Sequence, residues 1–367
     1  MTYKNDCNRV IIYTIVSWHA SCKYSSERIN NYVLGRYKRF MVMIGNSIRT
    51  IDAHTMGEAA RIVIDGIPEI QGNSMMQKKD YMQAELDHIR KLLMHEPRGH
   101  LNMFGAILTE PTNVECDLGV LFMDSGGYLN MCGHGTIAAV TIAIDQGLIE
   151  KQDKVLLDTP SGVVECHIVY ENDKVKEVSF INVPAFLLKR NVSALVNGVG
   201  HVNMDIAFGG SFFAIVDAKQ FNLELNIEEQ DKIAALGIAI RKAVNEQLTI
   251  EHPEIPEINT VDLVEFSLEV EKNHYKNTVV FGDGQIDRSP CGTGTCAKLA
   301  TLNLNKGEEI IQESIIGSRF KGTVVDYTEV KHIKAIIPKI TGSAWMTGIH
   351  QFSLDATDPY VEGFLLK

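Results

Sequence analysis

From Ser47 onward, apolar and polar positions fall into short regular patterns that predict many strands and few helices. Residues 48–52 and 60–64 read as strands, with His54-Thr55-Met56-Gly57-Glu58 as the turn between them. Over residues 80–94, Met82, Leu86, Ile89, Leu92 and Leu93 fall largely on one helical face; Glu96-Pro97-Arg98-Gly99-His100 breaks that helix. Strands follow at 104–108 and 118–123, then a turn at Ser125-Gly126-Gly127-Tyr128. A helix runs to about Asp145, with Gly147 as its stop. Residues 154–158, 163–170 and 175–183 read as strands, the last ending at Pro184. Phe208-Gly209-Gly210-Ser211 leads into an apolar strand at 212–216, and residues 227–246 are helical in pattern. Strands at 261–270 and 277–281 precede a last helix, to about Leu304, stopped near Gly307; the tail is strand-rich. Both halves thus read strands, glycine turn, helix, more strands, which is one internal pseudo-repeat.

The repeat carries chemistry. Each of the two helices opens on the core Cys-Gly-Xaa-Gly-Thr, first as Cys132-Gly133-His134-Gly135-Thr136, then as Cys291-Gly292-Thr293-Gly294-Thr295. A thiol carries protons near neutral pH, with an unperturbed pKa of about 8.5. A helix N-terminus favours the thiolate through its unsatisfied N–H groups and the positive end of its dipole. The same N–H groups bind carboxylates, and glycine lets that backbone come close. Two such turns facing each other would hold an amino acid by its carboxylate with one sulphur on each side of Cα. That is the equipment of a racemase that needs no cofactor.

Composition narrows the alternatives. At 367 residues the chain is long enough for two domains. A net charge of −11 argues against a nucleic-acid surface. No apolar run approaches the roughly 18 residues that span a membrane. Seven cysteines at irregular spacing do not form a disulfide framework, and reduced thiols in the cytoplasm fit better. Cys7, Cys22, Cys116 and Cys166 read as small apolar residues, and Cys296 as packing within its helix. Cys132 with His134 is too isolated to suggest a metal site. His134 either packs or meets a substrate ammonium, and Asp287 either caps its turn or does the same. Phe104 and Phe281 read by default as core strand residues. Residues 1–42 lack the regular pattern and are expected to be a weakly structured, dispensable extension.

The segments IDAHTMGEAARIVIDGIP, EPRGHLNMFGAIL, GGYLNMCGHGTIAAV, FGGSFFAI, DRSPCGTGTCAKLATL and KITGSAWMTG closely resemble the proline racemase family, which includes hydroxyproline epimerases. The resemblance covers the chain from about Ser47 to its end and leaves the first 42 residues without a counterpart. It implies an α/β (α+β) fold of the diaminopimelate-epimerase type, with two pseudo-symmetric domains, each a curled, mainly antiparallel sheet around a central helix. The domains would comprise residues 43–184 plus 350–367 and residues 185–349. It further implies a homodimer that uses neither pyridoxal phosphate nor a metal.

Carried over by motif, Cys132 and Cys291 become the two acid/base thiols. Gly135, Thr136, Gly292 and Thr293 become backbone donors to the substrate carboxylate, and His134 and Asp287 groups near its nitrogen. Phe104 and Phe281 become walls of the ring pocket. Two aromatic walls would leave a ring hydroxyl unpartnered, at about 1–3 kcal/mol, so proline is the expected substrate. The rival readings are a 4-hydroxyproline 2-epimerase, a trans-3-hydroxyproline dehydratase and a non-catalytic amino-acid-binding protein. The dehydratase relatives typically carry Thr where this chain has Cys291.

Overall fold

The computed structural model describes residues 47–355 and 357–366; the expected N-terminal extension, with Cys7 and Cys22, lies outside them. The first half of the chain comprises β1 (Ile48–Thr55), β2 (Glu58–Asp65), α1 (Met75–Glu85), α2 (Asp87–Met94), β3 (Phe104–Thr109), β4 (Leu118–Asp124), β5 (Tyr128–Leu129), α3 (Gly133–Asp145), β6 (Lys154–Thr159), β7 (Gly162–Glu171) and β8 (Lys174–Ile181). The second comprises β9 (Ala185–Val196), β10 (Gly200–Phe208), β11 (Phe212–Asp217), α4 (Gln230–Gln247), β12 (Val261–Glu271), β13 (His274–Phe281), β14 (Gln285–Ile286), α5 (Gly292–Thr301), β15 (Glu309–Glu313), β16 (Arg319–Val330), β17 (Ile333–Gly342) and β18 (Ala344–Phe352).

The strand directions repeat. β2 is parallel to β3, β3 antiparallel to β4, β4 antiparallel to β5 and parallel to β6, and β6, β7 and β8 are antiparallel in turn. Strands β11 to β17 run through the same series. Each helix that opens on a thiol lies between the fourth and fifth strands of its series. The halves join at β17, which pairs with both β8 and β9, and β18 returns to pair with β1 along its whole length. The sheet is therefore continuous and mainly antiparallel, and its two curls each enclose one helix.

Enclosure explains the composition of α3. Every residue from Gly133 to Ile144 is buried. A helix apolar on all sides is stable only when wrapped, and β1, β2, β3, β8 and β18 wrap it. Phe122 and Phe180 fill the space at its head, both without exposed surface. α5 sits in the second curl against β9, β10, β11, β16 and β17.

The helix N-termini meet. A Cβ added at Gly292 would stand 3.3 Å from the Gly133 Cα and 3.3 Å from Cζ of Phe180. One added at Gly133 would stand 3.0 Å from the same Phe180 atom. Only glycine at both positions lets the two turns touch.

Three elements differ from the sequence expectation. The helix expected over residues 80–94 is two helices broken at Leu86, whose ψ of 16° leaves the helical region. Its apolar face survives the break, because Met82, Leu86, Ile89, Leu92 and Leu93 are all buried. The last helix stops at Thr301, where the Thr301 hydroxyl turns back to the Lys298 carbonyl at 2.8 Å. Finally, the β9–β10 hairpin was not expected. Its outer residues alternate weakly, although Asn197-Gly198 at the turn is a recognisable hairpin signal.

The halves also differ beneath their helices. Leu108, Leu118, Val155 and Leu157 pack in the core around α3. Around α5 the corresponding layer holds Glu265, which accepts from Nε2 of Gln312 at 2.9 Å, and α5 itself carries Lys298, whose Nζ lies 4.5 Å from the Tyr275 ring centre. Burial pushes the Glu265 carboxyl up to about 8. Its raised folded-state value means that the folded protein keeps a proton that the unfolded chain loses once pH passes the ordinary glutamate value. Stability linked to Glu265 is therefore full below about pH 4.5 and falls as pH rises towards 8. Glu265→Gln should remove this penalty. Thermal melts should place the variant's Tm increasingly above the wild type's between about pH 5 and pH 8; a constant difference would contradict a protonated Glu265.

Replacing Gly292 by Ala tests the helix contact. The new Cβ would press on the Gly133 backbone and on Phe180, an overpacking that costs about 1–3 kcal/mol. A lowered Tm is expected, and an unchanged Tm would mean that the turns can part freely.

Candidate active site

The meeting helices open onto a cavity of about 1710 Å³, lined at this end by Phe104, Cys132, His134, Phe281, Asp287 and Cys291. Both thiols are almost fully buried and stand at the N-cap positions of α3 and α5. They are held differently. Cys132 has an extended backbone, φ −147° and ψ 117°, and its Sγ lies 3.4 Å from Nδ1 of His134. Cys291 has φ 61° and ψ 110°, a conformation that costs a non-glycine residue about 1–3 kcal/mol. Its surroundings impose it. Its N–H donates to Ser289 Oγ, its carbonyl accepts from Thr295 Oγ1 at 2.7 Å, and the preceding Pro290 carbonyl accepts from Nδ2 of Asn277 at 2.7 Å.

The helix turns divide their N–H groups between two tasks. In α5 the Gly294 N–H donates to Cys291 Sγ at 3.4 Å and the Thr295 N–H to the Cys291 carbonyl. In α3 the Gly135 N–H donates to Cys132 Sγ and the Thr136 N–H to the Cys132 carbonyl. The Gly135 and Thr136 N–H groups, which the resemblance assigns to the substrate carboxylate, are thus bonded to the cysteine, and neither residue lines the cavity. Gly133 and His134 do line it, as Gly292 and Thr293 do opposite. These four residues occupy the first turns, where helical N–H groups have no partner within the helix.

The electrostatics also depart from expectation. Burial, and then the nearby Asp287 carboxyl, push Cys291 well above the ordinary thiol value, while the Gly294 N–H and the Thr293 hydroxyl pull the other way. Burial dominates at Cys132 too, with Asp287 and Glu58 adding to it and the Gly135 N–H opposing. The helix termini thus moderate a burial effect that they do not overcome, and the balance favours the thiol at both sulphurs. Burial lowers His134 to about 4, so its ring is a neutral imidazole at neutral pH.

Phe104 and Phe281 meet each other at 5.9 Å between ring centres, and Phe104 meets the His134 ring edge-on at 4.7 Å. They form one continuous apolar wall and leave no room for a ring between them. Asp287 accepts from the Ser289 N–H at 2.8 Å. Next to it stands Glu58, which the sequence analysis assigned to a turn; its carboxyl is bonded to the Arg288 N–H and Nη2, each at 2.7 Å. No spacing pattern marked Glu58, because its partners lie some 230 positions along the chain. Cys116, Cys166 and Cys296 are buried and do not line the cavity; Cys296 Sγ accepts from Nδ2 of Asn182 at 3.2 Å. No described helix is long and apolar enough to cross a membrane.

The family model described as proline racemase matches residues 50–365. A proline racemase of Clostridioides difficile is 50% identical over 332 residues, covering 88% of this chain and 98% of that protein. Proline racemase A of Trypanosoma cruzi is 42% identical over 383 residues, covering 97% of this chain and 90% of that protein. That coverage is more than the chain from Ser47 onward supplies, so part of the segment ahead of Ser47 has a counterpart after all. A crystal structure of a hydroxyproline epimerase from Agrobacterium vitis, with bound trans-4-hydroxy-L-proline, superposes with a TM-score of 0.80 at 29% identity, covering 88% of this chain and 96% of that one.

The state of the thiols can be tested by alkylation. Buried thiols raised above the ordinary value should react slowly with iodoacetamide near pH 7 and accelerate steadily through about pH 10. Peptide mass spectrometry resolves Cys132 from Cys291. A rate that levels off below about pH 8 would reveal a thiolate.

Proposed function

The chain belongs to the proline racemase family and is an isomerase of the racemase type; on that premise we propose that it interconverts L- and D-proline with Cys132 and Cys291 as the two proton carriers. The observation that carries this reading is the pair of buried thiols at the heads of two abutting, repeat-related helices, both lining one cavity.

In this reading the substrate carboxylate sits against the first-turn N–H groups of Gly133, His134, Gly292 and Thr293. Asp287 receives the ring ammonium and His134 lies beside it. Ammonium binding neutralises the carboxylate that opposes ionisation of both sulphurs. One cysteine, as thiolate, takes the Cα proton from one face. The other, as thiol, delivers its own proton to the opposite face. Negative charge growing onto the substrate carboxylate meets fixed backbone donors, the main electrostatic remedy for so weakly acidic a carbon. Reaction distances of roughly 3–3.5 Å on each side keep the sulphurs apart with substrate between them. The enzyme ends in the opposite protonation state, suited to the opposite enantiomer. No step calls for a cofactor. The same reading takes the protein as a homodimer in the cytoplasm, with two domains dividing near residues 184 and 185.

The Phe104–Phe281 wall favours proline, whose ring is apolar beyond its nitrogen. A ring hydroxyl would lose water there and gain no partner. The second reading is a 4-hydroxyproline 2-epimerase, favoured by the likeness to the Agrobacterium vitis enzyme with its bound hydroxyproline.

Cys132→Ser and Cys291→Ser should each abolish racemisation and leave the fold intact, because serine is nearly isosteric but far less acidic. Polarimetry of L-proline without added cofactor measures this, and full racemisation by either variant would overturn the two-thiol reading. Wild-type kcat/KM should be much higher for proline than for trans-4-hydroxy-L-proline. Phe104→Ser or Phe281→His should narrow that gap. A wild-type preference for hydroxyproline would promote the epimerase reading and leave the thiol chemistry standing.

A further inference from the structure

Glu58 opens β2 in the first half, yet its carboxyl is bonded to the segment that carries Asp287 and Cys291 in the second. Oε2 accepts from the Arg288 N–H and Oε1 from Nη2 of Arg288, each at 2.7 Å, and the residue is 1% exposed. Nη2 of Arg288 also donates to the Asn102 carbonyl at 3.1 Å, so the guanidinium is shared. The Glu58 carboxyl makes a further hydrogen-bond contact with the Asp287 side chain, which is itself buried. Two carboxyl groups in contact and out of water do not both stay ionised, because like charges at that range repel too strongly. One proton must sit between them.

Position decides which group holds it. Asp287 lines the cavity and its Oδ1 accepts from the Ser289 N–H. Glu58 lies behind it, and burial followed by the Asp287 charge pushes its carboxyl well above the ordinary range against the pull of Arg288. We propose that Glu58 is a positioning residue that works as a neutral carboxylic acid, donating its proton to Asp287 so that the pair offers one negative charge to the substrate's ring ammonium. This rests on the racemase reading for its kinetic consequence, though not for the state of the carboxyl itself.

The consequence concerns the thiols. Negative charge at Asp287, at Asp124 or, were it ionised, at Glu58 opposes ionisation of Cys132. A second full charge at Glu58 would make the thiolate harder to form. Other titratable and charged groups around Glu58 come from several elements. From α3 come Cys132 and the neutral His134; from the end of β1 comes His54, whose Nδ1 accepts from the Gly57 N–H; from the segment before β3 comes His100, held below its ordinary value by burial and by Arg288 and Arg61. Arg288 is the fixed cation. Raising the pH removes the shared proton, adds a negative charge beside the thiols and slows proton abstraction. Glu58 therefore contributes to the alkaline limb of the activity profile.

The test compares Glu58→Ala with Glu58→Gln. Removing the donor leaves buried groups unpaired and should lower kcat/KM by about 10- to 100-fold. Glutamine keeps a neutral donor towards Asp287 and should recover most of that loss near neutral pH. It has no proton to lose, so the alkaline limb should move upward. Infrared spectra of substrate-free protein near pH 7 should show a protonated-carboxyl band in the wild type that Glu58→Gln lacks, while a second such band from Glu265 persists. Glutamine as damaging as alanine, with an unmoved alkaline limb and no lost band, would overturn the proposal and make Glu58 an ionised partner of Arg288. If the band is lost but proline is not racemised even by the wild type, the carboxyl pair stands and the racemase reading falls. Should the alanine variant fail to fold, the glutamine variant and its spectrum decide alone.

Discussion

The contact between Gly133 and Gly292 governs much of this molecule. Two helix N-termini carry like partial charges, so bringing them together is unfavourable until an anion arrives. The protein imposes the approach through packing. Each helix is sealed in its own curl of sheet, and Phe180 is wedged where the two heads meet. The result is a concentration of unpartnered N–H groups at one spot, ready for a carboxylate. Thiols at the N-caps then stand on either side of that spot because the cap residue precedes the turn in both helices.

The repeat is exact in topology and unequal in chemistry. Both series of strands run in the same directions, yet one cysteine sits in relaxed backbone and the other in a left-handed conformation held by Ser289, Thr295 and Asn277. Aliphatic residues support α3, whereas a buried glutamate lies against α5, which itself carries a half-buried lysine. Asp287, Arg288 and Ser289 precede the second thiol, while Asn130 and Met131 precede the first. A reaction that treats two faces of one carbon alike needs equivalent sulphurs. In the proposed reaction the substrate's nitrogen needs a partner on one side only, which matches where the symmetry breaks.

The sequence revealed most where signals are local. The duplicated thiol core, the helices that follow it and the strands rich in Val, Ile and Phe were all legible, because each depends on neighbours a few positions apart. The same holds for α3, whose stop at Gly147, φ 68°, is a backbone requirement written into one residue. Misreadings arose where tertiary contacts decide. A single apolar face did not reveal the break at Leu86, since both helices bury that face in one core. That the Gly135 and Thr136 N–H groups bond to the sulphur and the cap carbonyl of Cys132 was not legible either, because only the structure shows which N–H groups those atoms consume. Glu58 was invisible for the same reason: its meaning lies in Asp287 and Arg288, which are distant along the chain.

The seam at β17 has a consequence for how the molecule comes apart. This strand is laddered to β16 and β9 within its own half and to β8 across the join. Pulling the halves apart would strip backbone hydrogen bonds from the middle of the sheet, and each freed half would expose raw strand edges of the kind that drive aggregation. The shared ladder therefore ties the two copies together, and they are expected to unfold as one unit.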